Sequence, residues 1–186
     1  MKENDLKKEA LEKPVLLWVD LEMTGLDPKI DKILEIAAIV TNWKLEKIAT
    51  YQAAQKVDEN LVKQRMVGPF WDGVSATRDK LISQNKSAKK GASEIEKELL
   101  DFVEKHFGST IPILAGNSIH QDRLFIAKEW KKLNKKLHYR MLDVSSLKLV
   151  FENLYSIQFI KKKTHRAIDD IIESIGELKF YLKEIR

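Results

Sequence analysis

The residues best suited to chemistry are two acids that follow an apolar run. Asp20 and Glu22 come directly after Val15-Leu16-Leu17-Trp18-Val19, which predicts a buried strand over 15–20. Alternate residues of a strand share a face, so the two carboxylates point the same way. Two neighbouring anions beside a core repel each other and are costly to desolvate. A divalent cation is the most economical counter-charge, and oxygen ligands in a chain without cysteine suit Mg²⁺ or Mn²⁺.

A lone Asp-x-Glu is more often a pair of solvated acids at a strand end, so the metal hypothesis depends on partners elsewhere in the chain. Asp122 follows a short predicted strand, at the strand-to-helix switch where open α/β sheets place ligands. His165, Asp169 and Asp170 stand at the start of the last predicted helix. His120 lies two residues before Asp122, and we expect it to be a variable loop residue rather than a ligand.

The hydrophobic pattern predicts an α/β domain with a mixed sheet. Strands are expected over 15–20, 33–40, 44–51, 111–115 and 141–144, the first three as an antiparallel meander. Helices are expected over 58–66, from Ser75 or Thr77 onward, after a cap at Ser93, and over 122–133, 145–151 and 167–183.

The composition of the first residues, the length of the apolar runs and the lack of cysteine indicate what class of protein this is and where it is located. Residues 1–13 mix lysines with acids, so we expect a polar helical arm before a single domain over 14–186. That arm has neither the apolar centre of a secretory signal nor the acid-poor composition of a transit peptide. No apolar run reaches the roughly 18 residues that span a bilayer. Absence of cysteine fits a reducing cytoplasm, which is the expected location.

Basic residues are concentrated in two stretches of the chain. The net charge is +5, with lysine-rich stretches over 128–140 and 161–166. This excess favours a polyanionic partner. The stretches are interpreted either as a positive rim that attracts phosphates or as solvated helix ends and a loop.

Four segments, taken in order, resemble the motifs of the DEDDh exonucleases, and within them those of the oligoribonucleases. The segments are Val19–Leu26, Ala115–Arg123, Tyr139–Lys148 and His165–Ile171. The resemblance is collinear from about residue 16 to the end of the chain. It implies a ribonuclease H-like fold, with a central mixed five-stranded sheet flanked by helices. It also implies a homodimeric 3′→5′ exoribonuclease that hydrolyses short RNA, down to dinucleotides, to mononucleotides.

The resemblance also implies roles for the acids and for one histidine. The implied ligands of two divalent ions, Mg²⁺ or Mn²⁺, are Asp20, Glu22, Asp122 and Asp170. The implied general base is His165, since an imidazole titrates near neutrality. Helix positions five apart lie about 140° from each other. We therefore expect His165 on a mobile loop before the helix, with Asp169 as a second candidate for the role of Asp170.

By resemblance, Leu26 and Trp71 pack against the bases of the RNA. Stacking on an aromatic ring tolerates any base, which suits a sequence-independent enzyme. The alternative for Trp71, and for Phe70 beside it, is a hydrophobic plug beneath a loop. Ala76 stands where the family commonly has a histidine, so one phosphate contact of the family is absent or shifted here.

The implied contacts to the far phosphate lie in the second half of the chain. They are Ser118, Arg140 and Ser145, with Tyr139 reaching in from the second subunit. Arginine suits this role because its planar fork binds phosphate oxygens in pairs. Such a cap would exclude longer strands.

Two other functions remain open at this point. One is a DEDDh exonuclease with another substrate, such as a DNA proofreading enzyme or an RNA 3′-end trimming enzyme. It would share all the catalytic residues and differ in product length. The other is a non-catalytic nucleic-acid-binding module, which would have no need of clustered carboxylates.

Overall fold

A mixed five-stranded sheet forms the centre of the protein in a computed structural model that describes residues 11–160 and 166–184. The strands are β1 Leu16–Met23, β2 Ile33–Thr41, β3 Lys47–Ala54, β4 Ile113–Gly116 and β5 Met141–Asp143. Their order is β3-β2-β1-β4-β5. The first three strands pair antiparallel, and β4 and β5 continue the sheet in parallel with β1. The predicted meander and mixed sheet are confirmed.

Helices cover both faces of this sheet. They are α1 Glu59–Arg65, α2 Pro69–Gly73, α3 Ser75–Ser87, α4 Ala92–Phe107, α5 Ile119–Glu129, α6 Lys131–Lys136, α7 Val144–Leu154 and α8 Ala167–Glu184. Within 11–160 and 166–184, none of these helices has the length and apolar character needed to cross a membrane. Residues 1–10 and 161–165 lie outside the described residues, and with them most of the expected arm and His165.

Alternation along β1 separates two cores. Leu17, Val19 and Leu21 pack on one face of the sheet in a cluster that includes residues of α4, α5 and α6. Leu16 and Trp18 pack on the opposite face in a cluster that includes residues of α7 and α8. Because Asp20 and Glu22 continue the even-numbered series, they lie on the face that α8 covers. The predicted shared face of the two acids is therefore built into the central strand.

Several predicted strand limits differ from the observed ones by one to three residues, and local contacts explain two of the largest differences. The first strand continues past Asp20 to Met23 because β2 pairs with it through Glu22 opposite Glu35. The third strand begins at Lys47 rather than at Lys44, because Asn42 turns the chain. Its Oδ1 accepts hydrogen bonds from the backbone N–H groups of residues 44 and 46 at 2.9 and 3.1 Å.

Helix starts also differ from the sequence prediction. Ser93 does not cap the long helix α4, which begins at Ala92. Its N-cap residue is Gly91, whose N–H donates to Glu94 Oε2 at 3.0 Å. The helix expected from Asp122 begins three residues earlier and ends at Glu129, with a separate helix α6 after Trp130. Asp122 consequently lies in the first turn of α5 rather than at its start.

Gly116 ends β4 where the chain passes closest to β1. A Cβ atom at this position would lie 2.9 Å from the carbonyl oxygen of Val19 and 3.1 Å from Ile119 Cδ1. The first contact is with backbone, which side-chain rotation cannot relieve. The close approach of β4 to β1 therefore requires glycine here.

We predict that Gly116→Ala lowers the free energy of unfolding by about 1–3 kcal/mol, the usual cost of overpacking. Gly73→Ala is the matched control, because no atom lies within 4 Å of a Cβ built at Gly73. The control should change stability by less than about 0.5 kcal/mol. Chemical denaturation of both variants measures this, and equal stabilities would contradict the close approach.

Candidate active site

Three carboxylates from two elements converge at the carboxyl end of β1. Asp20 and Glu22 come from the strand, and Asp170 comes from the first turn of α8. One oxygen atom of each lies within 4.8 Å of the other two, and all three side chains are half-buried. Asp169, the second candidate of the sequence analysis, is not part of this group. Helix α8 thus brings Asp170, the residue implied by the family pattern, to the two strand acids.

Asp122 approaches the same strand end from α5. Its Oδ1 accepts a hydrogen bond from the backbone N–H of Leu21 at 3.0 Å, between Asp20 and Glu22 in the chain. Its side chain is buried, with 7% exposure. Asp122 lies outside the 4.8 Å group but is anchored to the strand segment that carries two of its members. The four implied metal ligands are therefore on adjoining elements.

Burial, with a smaller contribution from neighbouring negative charges, raises the pKa of two of the acids. Burial, and then the negative charges of Glu35, Asp170 and Asp122, raise the pKa of Glu22 to about 7. Burial also raises the pKa of Asp122 to about 7; hydrogen bonds from backbone N–H groups oppose the rise, and the charge of Asp143 adds to it. Without a counter-charge, Glu22 and Asp122 therefore keep their protons to a higher pH than ordinary carboxyl groups do.

Glu35 is a carboxylate that sequence reasoning missed. It lies directly opposite Glu22 in the β1–β2 pairing and is 7% exposed. A signal was present, since Glu35 is the one charged residue within the apolar run over 33–40. Its position beside Glu22 depends on strand register, which the sequence does not reveal.

Mg²⁺ or Mn²⁺ fits this set of donors. Both cations prefer hard oxygen ligands, and every side chain in the group supplies a carboxylate oxygen. A bound cation would also offset the repulsion that raises the pKa of Glu22. Asp20, Glu22 and Asp170 are the residues placed to hold it, with Asp122 beside them.

A cavity of about 560 Å³ opens next to the carboxylates. Glu22, Leu26, Arg65, Phe70 and Trp71 are among its lining residues. Leu26 is 72% exposed, as a residue that packs against a ligand should be. The cavity thus connects the acids to the two residues that resemblance assigned to the bases.

Trp71 lies in the short helix α2 rather than in a loop, and only 6% of it is exposed. It packs in a small core with Met66 and Leu81, while Phe70 is 72% exposed and meets it edge to face at 5.1 Å. The plug interpretation of Phe70 is therefore wrong. Trp71 is a buried residue that also lines the cavity, and Phe70 stands at the rim.

An ion pair between the buried Asp31 and the partly exposed Arg65 fixes the turn that carries Leu26. Asp31 is 1% exposed and accepts from Thr24 Oγ1 at 2.9 Å and from Arg65 Nε at 2.8 Å. Burial opposes its ionisation, but these hydrogen bonds outweigh burial and hold the pKa of Asp31 below its usual value. A Cβ at Gly25 would lie 2.5 Å from Asp31 Oδ2, so the turn closes tightly on the carboxylate. Sequence reasoning missed both Asp31 and Arg65 because they meet only in the fold.

Ser118 and Ser145 meet at the start of α5 and α7. Their hydroxyl oxygens are 3.3 Å apart, and Ser118 N–H donates to Ser145 Oγ at 2.9 Å. Asp143 fixes both residues, because its Oδ1 accepts from Ser118 N–H at 2.9 Å and Ser145 N–H at 3.0 Å. Asp143 was also missed as a functional residue, although it ends the observed strand β5 and lies within the strand predicted over 141–144. His120, expected in a loop, lies in α5 with its Nδ1 3.6 Å from Asp143 Oδ2.

Tyr139 and Arg140 precede β5 on the surface. Tyr139 is 73% exposed and stacks on His138, and Arg140 Cζ lies 5.2 Å from the centre of the Tyr139 ring. Tyr139 and Arg140 therefore contact each other within one chain. Within the part of the chain that the structure describes, no hydrogen bond joins either of them to Ser118 or Ser145. Ala76 is exposed in the first turn of α3, beside Thr77, which lines the cavity.

Comparison with known proteins identifies the class and then the family. A family model described as an exonuclease, RNase_T, matches residues 17–178, and this is the class that the sheet and the carboxylate group define. An oligoribonuclease of Francisella tularensis subsp. holarctica is 43% identical over 91% of this chain and 95% of its own. An oligoribonuclease of Hahella chejuensis is 38% identical over 89% of this chain and 92% of its own. The chain belongs to the oligoribonuclease family.

Solved structures support the fold. An E. coli ExoI–ssDNA complex in its zinc-bound form aligns with a TM-score of 0.64 and 11% identity over 90% of this chain. Exonuclease I from Methylocaldum szegediense aligns with a TM-score of 0.61 and 15% identity over 91% of it. This chain matches 40% of the length of each. The predicted ribonuclease H-like exonuclease fold is confirmed.

We predict that the chelator-treated protein loses stability as pH rises. The pKa values of Glu22 and Asp122 are about 7 in the folded protein and have ordinary values of 4.5 and 3.8. The folded state therefore binds more protons than the unfolded state, and its advantage is lost as pH rises through about 7. Between about pH 5.5 and about pH 8 we expect a loss on the order of 2 kcal/mol from each of the two groups, which Mg²⁺ or Mn²⁺ restores at the higher pH.

Thermal unfolding at fixed ionic strength tests this, with Glu22→Gln as the control. The variant should show a flatter pH profile and a smaller rise in Tm with metal, because one ionisable ligand is gone. If the wild type and Glu22→Gln have the same pH profile and the same response to metal, the carboxylate group does not interact as described.

Proposed function

We propose that this protein is a 3′→5′ exoribonuclease that hydrolyses short RNA, down to dinucleotides, to mononucleotides. The observation that carries this proposal is the group of three carboxylates within 4.8 Å at the end of the central strand, in a chain of the oligoribonuclease family. A binding module has no need of acids that repel one another near neutral pH. Metal-dependent hydrolysis of a phosphodiester uses such acids as ligands for its cations.

In this proposal Asp20, Glu22, Asp122 and Asp170 hold two divalent ions, Mg²⁺ or Mn²⁺. When bound, such ions activate a water molecule and stabilise the leaving oxygen of an in-line displacement at phosphorus. Hydrogen bonding from Leu21 N–H to Asp122 keeps that carboxylate facing the strand. Asp20 and Glu22 are attached to a regular strand and Asp170 to a regular helix, and this keeps the three ligands in place before the substrate arrives.

His165 is the proposed general base, although it lies outside the described residues. Its imidazole would take the proton of the attacking water as the new P–O bond forms. The bond between phosphorus and the preceding nucleotide's 3′ oxygen breaks, which releases a 5′-mononucleotide. No side chain near the carboxylates is needed as a nucleophile, so we assign that role to water.

The proposed substrate sites follow from the cavity and from the serine pair. Leu26 at the mouth, with Trp71 in the wall, would contact the bases of a very short RNA. Ser118, Arg140 and Ser145 would form a cap around the phosphate farthest from the scissile bond. A cap of this kind favours a dinucleotide, because it leaves no exit for a longer strand.

We further propose a cytoplasmic homodimer in which Tyr139 reaches the partner's substrate. Tyr139 is 73% exposed, so it is accessible to a second chain. Leu149 and Leu154 on α7, with Tyr155 after it, are 63%, 74% and 62% exposed. An apolar surface of this kind supports an interface between two copies. The cytoplasmic location is supported by the absence of cysteine.

Hydrolysis of 5′-labelled RNAs from two to about 20 nucleotides tests the proposed function. With Mg²⁺ or Mn²⁺, we expect the dinucleotide to be hydrolysed at least about tenfold faster than the longest RNA, a ratio that one additional phosphate contact supports. Chelator should stop all cleavage. DNA of the same sequences tests the alternative substrates, and faster cleavage of long DNA or RNA than of the dinucleotide would favour them.

Two neighbouring substitutions test the metal assignment. Asp170→Asn should lower the rate by at least about a thousandfold, because a ligand for the cations is lost at unchanged side-chain volume. Asp169→Asn is the matched control, since Asp169 stands one residue earlier and is not in the carboxylate group. It should keep most of the activity. Equal loss in both variants would contradict the assignment.

Mixing two defective variants tests the contribution of Tyr139. Tyr139→Ala should raise KM for the dinucleotide about tenfold, the cost of one stacking contact. In a heterodimer of Tyr139→Ala with Asp170→Asn, the Tyr139→Ala subunit keeps its acids and receives an intact tyrosine from its partner. With random mixing, half of the dimers are heterodimers and each has one intact site, so about a quarter of all sites should regain the normal KM. If mixing restores nothing, Tyr139 does not act across subunits.

A further inference from the structure

A fully buried carboxylate lies close to the proposed site and has no part in the chemistry described so far. Glu177 is on α8, seven residues after Asp170, and is 0% exposed. Burying a carboxylate costs free energy unless hydrogen bonds satisfy it. Glu177 therefore requires donors, and their identity shows what it does.

Tyr181 and Asn117 both donate to Glu177. Tyr181 O–H donates to Oε1 at 3.1 Å, and Asn117 Nδ2 donates to Oε2 at 3.1 Å. Burial and the charge of Glu177 raise the pKa of Tyr181 well above its usual value, so the phenol keeps its proton. Asn117 Nδ2 also donates to Ser174 Oγ at 2.8 Å, and Ser174 Oγ donates to the carbonyl oxygen of Asp170 at 2.8 Å.

These contacts determine which way the Asn117 amide faces. A carboxylate only accepts hydrogen bonds, so the NH₂ group of Asn117 must point toward Glu177. The amide oxygen then points the other way and accepts from Ser145 Oγ at 3.2 Å. The hydroxyl proton of Ser145 is therefore directed at Asn117.

The same reasoning extends to Ser118. Because the Ser145 proton is directed at Asn117, the Ser145 oxygen is left to accept. It accepts from Ser118 N–H at 2.9 Å, and in the 3.3 Å contact between the hydroxyls Ser118 must be the donor. That contact is long for an O–H···O hydrogen bond, and Ser118 is exposed. Ser118 can thus turn its proton to a ligand with little loss, whereas Ser145 cannot.

We propose that Glu177 is a positioning residue that sets the direction of this hydrogen-bond chain, so that Ser118 is the hydroxyl that donates to a 5′-phosphate of the dinucleotide. This inference rests on the proposed function, since it names how the phosphate cap is oriented. It assigns Ser118 and Ser145 different roles: Ser118 contacts the phosphate, and Ser145 orients Ser118.

Two dinucleotides test the proposal, one with a 5′-phosphate and one with a 5′-hydroxyl. The measured quantity is the ratio of their kcat/KM values, the 5′-phosphate preference. Glu177→Gln offers a donor as well as an acceptor, so residue 177 no longer requires the Asn117 amide to face one way. Ser174 Oγ, which accepts from Asn117, is then the one described contact that still favours the original orientation. We expect the preference to fall about tenfold, mainly through KM, the usual effect of one charge-assisted hydrogen bond. Turnover of the 5′-hydroxyl dinucleotide should stay within about twofold.

Three further variants separate positioning from general stability. Tyr181→Phe removes the Tyr181 hydrogen bond to Glu177 but leaves the Asn117 contact, so it should keep the preference. Asn117→Ala breaks the chain without unpairing Glu177 from Tyr181, and should lose the preference even if Glu177→Gln fails to fold. In a Ser118→Ala background, Glu177→Gln should have no further effect on the preference, since the chain ends at Ser118.

Each outcome decides the matter. Equal loss for both dinucleotides, or an unchanged preference in Glu177→Gln and Asn117→Ala, would overturn the positioning role while the proposed function stands. A wild-type protein without any 5′-phosphate preference would overturn it as well. Failure of the wild type to hydrolyse either dinucleotide would instead refute the proposed function, and the inference with it.

Discussion

Repulsion among carboxylates at the end of β1 is the constraint on which the site depends. The even-numbered residues of this strand change from Leu16 and Trp18, both fully buried, to Asp20 and Glu22. Their apolar neighbours in the strand are packed on both faces, so the acids cannot move apart without loss of core contacts. Helix α8 then adds Asp170 to the same place. The fold thus supplies the rigidity that a group of like charges requires, and a cation is the natural means to relieve it.

Periodicity predicted the parts of this arrangement that are local. Alternation along β1 placed two acids on one face, and motif resemblance selected Asp170, whose position depends on α8 beginning at Ala167. The remaining parts depend on contacts between distant segments. Register with β2 brings Glu35 opposite Glu22, and a pair of residues 34 positions apart, Asp31 and Arg65, closes the turn beneath Leu26. Neither follows from spacing along the chain.

Trp71 shows why exposure alone does not identify a substrate residue. The ring is almost wholly buried in a core with Met66 and Leu81, yet it lines the cavity beside the acids. Packing on one side holds the ring in a fixed orientation, so a ligand on the other side meets a surface that is already ordered. The two roles considered for Trp71, a hydrophobic plug and a ring that packs against a base, are therefore compatible. Phe70, exposed at the rim, has no such support from a core.

Helix α8 links the two halves of the proposed site. It carries Asp170 in its first turn and Glu177 two turns later, and the buried carboxylate is joined through Asn117 to the serine pair. Ser174, between them, donates to the carbonyl of Asp170 and accepts from Asn117. A shift of α8 would therefore disturb the metal ligands and the phosphate cap together. In an enzyme for dinucleotides the two must stay at one fixed separation, because substrate length is measured between them. Displacement of α8 would leave the buried Glu177 without the hydrogen bonds from Tyr181 and Asn117, and the cost of that loss opposes a change in the separation.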